Sequence, residues 1–405
     1  MLNLDKNKKY LLACSFGPDS MALFDMLLKA GYIFEVAHVN YHLRKESDYE
    51  ELCLRNYCKE YDIKLHVFRN KKKIRNNVEA ICREIRYDFF AKIYHKNKFD
   101  GLLIAHNEDD LIETYLLQKK RKNLVFCFGL SKENIIKGMR VLRPLLDVKK
   151  NELLNYCKEN EIPYSIDKTN LLPIFERNKI RINVVSKMKE DDRQYVLYNI
   201  CIENESLHKM IEKVKLCSDQ IKELQQLTEI EFAYYLNIKL RNLEIYKPIT
   251  YKQSIEVGKF LHSEKPNIFL KVAQNEACVY KAYDRLLIEK NEQSFEPFNI
   301  EKPCVIDNQV LFADLVKEGE KRNIKENDYP LTIRTYQAGD KTMISDYQVL
   351  VRRLFIDWKM PLYLRKRWPL FVNKDNKIVY IPRYRSDFQV SNSPNFYVKE
   401  CFTLK

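Results

Sequence analysis

The chemistry-bearing residues of this 405-residue chain gather in its first half, beginning with Ser15-Phe16-Gly17-Pro18-Asp19-Ser20. This hexapeptide follows an apolar run and precedes an amphipathic one. A short loop in that position aims the free N–H groups and the positive end of the next helix at whatever lies above it. The hydroxyls of Ser15 and Ser20 suit phosphate oxygens, Gly17 admits a close backbone approach, and Pro18 fits a helix start. Asp19 is an odd neighbour for phosphate unless Mg²⁺ lies between them. No G-K-[ST] follows, so this is not a Walker loop. Taken alone, the loop reads equally well as a helix cap.

A second group is Ala105-His106-Asn107-Glu108-Asp109-Asp110-Leu111-Ile112-Glu113-Thr114. Acids are favoured in the first turn of a helix by its dipole, which accounts for one acid here and poorly for three. Asp110 and Glu113 are three apart, so both carboxylates leave the same helix face. Two carboxylates turned toward a bound nucleotide would repel it unless a cation sits between them. Three other blocks, His38-Val39-Asn40-Tyr41-His42-Leu43-Arg44, Glu79 to Tyr87 (EAICREIRY) and Arg143-Pro144-Leu145-Leu146, are less pointed. His38 alone reads as a half-buried histidine bonded to a carbonyl. Glu79 and Arg83 are spaced as an exposed ion pair, with Arg86 on the same helical face. A last block pairs Asp167-Lys168-Thr169-Asn170 with Arg177-Asn178-Lys179-Ile180-Arg181.

These residues need a scaffold, and the pattern supplies one. Tyr10–Ser15, Phe34–Val39, Leu65–Phe68 and Gly101–Ala105 are short apolar runs that read as buried strands. Between them 19–30, 46–61 and 79–97 carry helical spacing, with Ile81, Ile85, Phe89 and Ile93 recurring every four residues. Strand–helix alternation implies a parallel sheet covered on both faces, with ligands beyond the carboxyl ends of its strands. From Ile174 to Lys247 there are 74 residues without Gly or Pro, which favours long helices. The run Leu207, Ile211, Val214, Leu216, Ile221, Leu224 supports a helical middle domain. Beyond Pro297, Pro303 and Pro330 the runs Leu331–Tyr336, Pro369–Val372 and Lys377–Ile381 suggest a small mixed domain. The expected division is 1–190, 191–295 and 296–405.

In their order, these blocks resemble the tRNA(Ile)-lysidine synthases. The loop is similar to the S-G-G-x-D-S loop of the PP-loop ATP pyrophosphatases, with Phe16 where that loop has its first glycine. The other blocks match HVN-x-x-LR, EA-x-x-R-x-x-RY, AH-[HN]-x-DD-x-x-ET, RPLL, and D-x-TN followed by R-N-x-[IV]-R. The likeness is detailed over about residues 9–181 and fainter from Arg334 to Arg383. Asn107 replaces a frequent second histidine, and 118–131 lacks a glycine-rich texture common in the family. The resemblance implies an α/β fold with a parallel-sheet PP-loop (adenine nucleotide alpha hydrolase-like) N-terminal domain, a helical middle domain and a small mixed α/β C-terminal domain. It further implies an ATP-dependent ligase that joins lysine to the wobble cytidine of a CAU-anticodon tRNA(Ile), releasing AMP and pyrophosphate. In that reading Ser15, Phe16, Gly17, Pro18, Asp19, Ser20 and His38 bind ATP and Asp19 holds Mg²⁺. Asp19, Arg86, His106, Asp110 and Glu113 carry the catalysis, the last two by recognising the amino acid.

Composition agrees with this and excludes other classes. Hydrophobic residues at 45% supply several cores, ruling out extended disorder. No run approaches the ~20 apolar residues of a membrane span, and no apolar h-region follows the basic N-terminus, so a cytoplasmic protein is expected. Lys+Arg 70 against Asp+Glu 56 leaves +14, which suits a tRNA partner, as an AT-biased coding sequence rich in Lys also would. The candidate tRNA contacts are Arg352, Arg353, Arg365, Lys366, Arg367, Arg383 and Arg385, interleaved with Phe355, Trp358, Tyr363, Trp368 and Tyr384; part of that aromatic set must form a core instead. Eleven scattered cysteines with no C-x-x-C pair argue for reduced thiols. That weakens the alternative of a PP-loop tRNA thiolase; a tRNA-binding protein with a relic nucleotide site is the other. The oligomeric state stays open, a homodimer included.

Overall fold

The run Lys9–Ala13 forms β1 at the centre of a sheet, and its neighbours follow the alternation read from the sequence. In this computed structural model the described residues are 2–43, 46–71, 78–166, 176–291, 295–317, 324–385 and 396–399. After β1 come α1 (Pro18–Lys29), β2 (Ile33–Asn40), α2 (Ser47–Glu60), β3 (Leu65–Arg69), α3 (Val78–Asn97), β4 (Gly101–Ile104) and α4 (Glu108–Arg121). A hairpin of β5 (Glu133–Ile136) and β6 (Met139–Leu142) leads to α5 (Lys150–Glu159), α6 (Glu176–Asn183) and α7 (Glu190–Lys215). The sheet order is β3-β2-β1-β4-β6-β5. All its pairings are parallel except β5 with β6.

Alternation along β1 divides the core between the two faces. Tyr10 and Leu12 pack with Met21 and Phe24 of α1, Leu54 of α2 and Leu153 of α5. Leu11 packs on the other face with Ala37, Leu102, and Tyr87, Phe90 and Tyr94 of α3. The chain runs from β1 outward to β3, then returns to place β4 on β1's other side. That reversal opens a crevice beyond the carboxyl ends of β1 and β4, where doubly wound sheets bind ligands. The β5–β6 turn, Lys137-Gly138, has φ of +49° and +74°, as two-residue hairpin turns require.

By their internal packing the residues form two compact units, Met1–His208 and Lys209–Lys405. The second begins with α8 (Ile221–Leu224), α9 (Glu229–Asn242) and α10 (Tyr251–Gly258). Capping boxes Thr228/Glu231 and Thr250/Gln253 start α9 and α10, each satisfying two otherwise free N–H groups. Leu207, Ile211, Val214, Ile221 and Leu224 are buried as the heptad-like run implied, whereas Leu216 is 86% exposed. Within the span expected to be helical there follows a three-stranded antiparallel sheet, β7 (Asn267–Val272), β8 (Ala277–Ala282) and β9 (Arg285–Lys290). The remaining residues form a small mixed α/β region. It contains a four-stranded sheet of β10 (Phe298–Ile300), β13 (Leu331–Thr335), β16 (Pro369–Val372) and β17 (Ile378–Tyr380). Strands β11 (Val305–Asp307), β12 (Leu311–Asp314) and β18 (Phe396–Val398) make a second sheet. A hairpin of β14 (Lys341–Ile344) and β15 (Tyr347–Leu350) precedes α11 (Val351–Asp357) and α12 (Leu362–Arg365). No helix among the described residues is long and apolar enough to cross a membrane.

Candidate active site

The loop after β1 is held open from below. Phe16 sits at φ +64°, a left-handed conformation that costs a non-glycine residue about 1–2 kcal/mol. Its ring is 4% exposed and belongs to the core with Met21 and Leu145. Burying a phenylalanine contributes about 1.5–3 kcal/mol, enough to offset the strain. The Phe16 carbonyl accepts from Ser165 N–H at 2.9 Å, and the Ser165 hydroxyl donates to Glu50 at 2.7 Å. Ser20 donates its hydroxyl to the Gly17 carbonyl at 2.9 Å and accepts from Ser15 N–H at 3.3 Å. These bonds shape the loop, yet no side chain caps α1, which starts at Pro18 after Gly17.

Two side chains beside this loop carry buried atoms without a partner among the described residues: Asp19 Oδ1 and His38 Nε2. His38 is 5% exposed and its Nδ1 lies 2.9 Å from the Cys14 carbonyl. That nitrogen therefore carries the hydrogen, and burial keeps the ring neutral. The Asp19 carboxyl is pushed up to about 6, first by burial and further by the charge of Asp110, against the opposing charge of Lys150. A buried carboxylate oxygen without a partner is a costly arrangement that a cation would relieve.

Across the crevice α4 begins with a capping box of its own. Asp110 N–H donates to Asn107 Oδ1 at 3.1 Å and Asn107 N–H to Asp110 Oδ2 at 3.2 Å. The four acids of α4 are all matched by arginines. Arg193 Nη1 reaches Glu108 at 2.9 Å and Asp109 at 2.8 Å. Arg177 donates to Asp110 Oδ1 and to Glu113 Oε2, each at 2.9 Å. Arg181 Nε lies 2.6 Å from Glu113 Oε1 and its Nη2 3.0 Å from Oε2. Glu113 is fully buried. The cation that the Asp110/Glu113 spacing demanded is thus present within the chain. Arg177 and Arg181, four apart on α6, match the i, i+3 carboxylates, a spacing complementarity visible in the sequence. Burial pushes the Asp110 carboxyl up, but His106, in the acid range where it is protonated, together with the charges of Arg177 and Arg181 outweighs it and holds it below its ordinary value.

His106, at the end of β4, is depressed to about 4 by burial, with Arg143, Arg177 and Arg83 adding to the effect and Asp110 opposing it. Its Nδ1 accepts from Arg143 Nε at 3.0 Å. The structure brings Asp19 of the loop within electrostatic reach of Asp110 and Arg181, and His106 within reach of Asp110, while the side-chain bonds of Ser15 and Ser20 stay within the loop. His38 adjoins the loop through Cys14. Arg86 is exposed on α3 and its charge bears on Tyr41 and Cys82; of the α3 arginines it is Arg83 whose charge is felt at His106 and Arg143. The block Asp167–Asn170, Arg44 and the Glu79 side chain lie outside the described residues. Sequence reading passed over Arg193 and Ser165 and gave Arg143 no role. The R-P-L-L block was the one signal for Arg143.

In the second unit, Arg352, Arg353, Lys366, Arg383 and Arg385 are exposed and Arg365 is half-buried. Arg367 is buried and pairs with Glu289 at 2.9 Å. Phe355 and Trp368 are core residues.

An uncapped helix start after a central strand, with an orphaned carboxylate in its first turn at the sheet's reversal, fits a nucleotide-using enzyme of the PP-loop type. The PP-loop domain family model matches residues 1–188. The chain is 33% identical over 400 residues to a tRNA(Ile)-lysidine synthase of Mycoplasma mycoides, covering 94% of this chain and 98% of that one. Those of Malacoplasma penetrans (32%, covering 79% and 95%) and Mesoplasma florum (30%, covering 84% and 90%) are also similar. This chain belongs to the tRNA(Ile)-lysidine synthase family. It is an ATP-using ligase that forms lysidine on the wobble cytidine of tRNA(Ile).

Proposed function

We propose that the crevice between β1 and β4 runs both halves of this ligation, the loop serving ATP and the α4 face serving lysine. The free N–H groups of α1, with Ser15 and Ser20, receive the polyphosphate. The partnerless Asp19 oxygen fits Mg²⁺, which is commonly held by one or two carboxylates and completed by substrate phosphates and water. When bound there, Mg²⁺ would neutralise charge as pyrophosphate leaves. His38 offers its partnerless Nε2 as an acceptor for the nucleoside.

In the first half-reaction the cytidine 2-carbonyl oxygen attacks the α-phosphate, the bond to pyrophosphate breaks, and an adenylated base results. In the second, the ε-amine of lysine attacks the activated ring carbon, the C–O bond breaks, AMP departs and the amine loses a proton. Lysine enters as a cation, and Asp110 and Glu113 are the carboxylates to receive it, by exchange with an arginine contact from α6. A carboxylate can also accept the proton the amine must lose. The extruded cytidine requires a basic surface for the rest of the tRNA. Exposed Arg352, Arg353, Lys366, Arg383 and Arg385 are the candidates that remain once Arg367 is assigned to the core and half-buried Arg365, bonded to the Met360 carbonyl, is set aside.

One observation carries the reading: the orphaned Asp19 oxygen, in the first turn of the uncapped α1, lies close enough to Asp110 to feel its charge. Labelled lysine, ATP and a CAU-anticodon tRNA transcript test it. Incorporation of one lysine per tRNA, with one AMP and one pyrophosphate released, is expected. ATP cleavage without lysine incorporation would refute it.

A further inference from the structure

Arg143 is a buried guanidinium with no carboxylate partner among the described residues. It is 4% exposed, and among the described residues no Asp or Glu lies within ion-pair distance of it. Its Nη1 donates to the Ser131 carbonyl and to Asn134 Oδ1, both at 2.8 Å. Its own N–H donates to the Lys132 carbonyl at 2.8 Å. Ser131, just before β5, and Asn134 within it thus hold the guanidinium on one side, the Tyr87 side chain also bonds it, and its Nε–H points at His106 Nδ1, 3.0 Å away.

That contact dictates where the imidazole proton sits. A guanidinium has five N–H donors and no acceptor, so Nδ1 can face it only as a lone pair. In the neutral ring the hydrogen must then be on Nε2. We infer that Arg143 is a positioning residue that fixes His106 in the Nε2–H form, making this histidine a hydrogen-bond donor to the reacting phosphate and not a base. The inference rests on the proposed placement of ATP in this crevice and deepens it.

Three observations support it. Nε2 of His106 has no protein partner among the described residues, so its hydrogen is free for a ligand. A second proton on Nδ1 would press an N–H against the Arg143 N–H; burial opposes imidazolium formation in the same sense, as do the charges of Arg143, Arg177 and Arg83, and together they outweigh the favouring charge of Asp110. The uncompensated guanidinium also polarises the imidazole it touches, strengthening Nε2–H as a donor toward negative charge developing on phosphate. Since Nε2 already bears hydrogen, the proton that lysine loses goes to a carboxylate or to solvent.

The test is the nitrogen spectrum of the full chain with ¹⁵N-labelled histidine at neutral pH, His106 being identified by the signals lost in His106→Gln. Expected are an Nδ1 resonance typical of an unprotonated ring nitrogen and an Nε2 resonance typical of a protonated one. In Arg143→Met the two should move toward the averaged positions of a tautomer mixture. Adenylation of the tRNA should slow by about 10–100-fold, less than the roughly 100–1,000-fold of deleting such a donor outright because His106 itself remains, with the KM for lysine changed less than twofold. A wild-type ring protonated on Nδ1, or on both nitrogens, overturns the inference, and so does an unchanged tautomer in Arg143→Met. The wild-type spectrum decides the tautomer even if the variant folds poorly. A chain that shows the Nε2–H form yet never incorporates lysine refutes the functional reading and leaves the tautomer assignment standing.

Discussion

Asp19→Asn should make the protein more stable and less active, and the gain in stability should depend on pH. In the folded chain the Asp19 carboxyl is pushed up to about 6 from its ordinary 3.8, mainly by burial. The folded state therefore holds an extra proton between about pH 4 and 6, and stability falls as pH rises through that window. Above it the whole burden of the buried charge is present. A rise of this size corresponds to about 3 kcal/mol at most. Asparagine keeps the shape and cannot ionise. At pH 7.5 the variant should be more stable by up to about 3 kcal/mol, and at pH 4 the two proteins should converge. For a unit of about 200 residues that amounts to roughly 6–12 °C in melting temperature. Thermal unfolding of both proteins, without nucleotide or magnesium, at half-unit intervals from pH 4 to 8 reads the effect. Lysine ligation by Asp19→Asn should be lost across the range. An equal stability gap at pH 4 and 7.5, or none at 7.5, would refute the assignment of Asp19 as a carboxylate kept buried for a cation.

Substitutions at five further positions probe the loop, the arginine clamp and the basic surface. Phe16→Ala removes the buried ring but keeps the left-handed strain, whereas Phe16→Gly removes both. Chemical unfolding should find Phe16→Gly the more stable of the two by about 1 kcal/mol, and the reverse order would show the backbone to be unstrained. Arg181→Met leaves buried Glu113 with only Arg177 and should cost about 3 kcal/mol; a loss below 0.5 kcal/mol by the same measurement contradicts the clamp. Arg352→Glu with Arg353→Glu should weaken tRNA binding and flatten its salt dependence without lowering the melting temperature. Arg367→Ala should do the opposite, because its partner Glu289 lies in the fold.

The reach of sequence reasoning here followed the range of the interactions involved. Four of the five parallel strands, β1 to β4, were legible to within about two residues because each is an apolar run between helical patterns. Strands β5 and β6 were missed, since Glu133–Ile136 is half-exposed and its alternation is diluted by Lys and Asn nearby. Lys137-Gly138 was the available turn signal. The sheet of β7–β9 was folded into a helical expectation that rested on the absence of breakers before residue 248. At the site, the chemistry of the loop and of the carboxylate pair could be read from residue type and spacing. Arg177 and Arg181 match that pair in spacing, but the pairing itself spans 64 to 71 positions and so lies beyond any local window. Phe16 is a local exception to local rules. Its positive φ is sustained by a core that assembles from β1, α1 and α5, which no window around residue 16 contains.

The account stands most directly on Asp110 meeting the lysine cation while the loop meets ATP. The decisive measurement is the steady-state KM for lysine and for ATP in Asp110→Asn, with tRNA saturating. Loss of a charge-assisted contact predicts a 10- to 100-fold higher KM for lysine, with that for ATP and the rate of tRNA adenylation within threefold of wild type. An unchanged KM for lysine would contradict it.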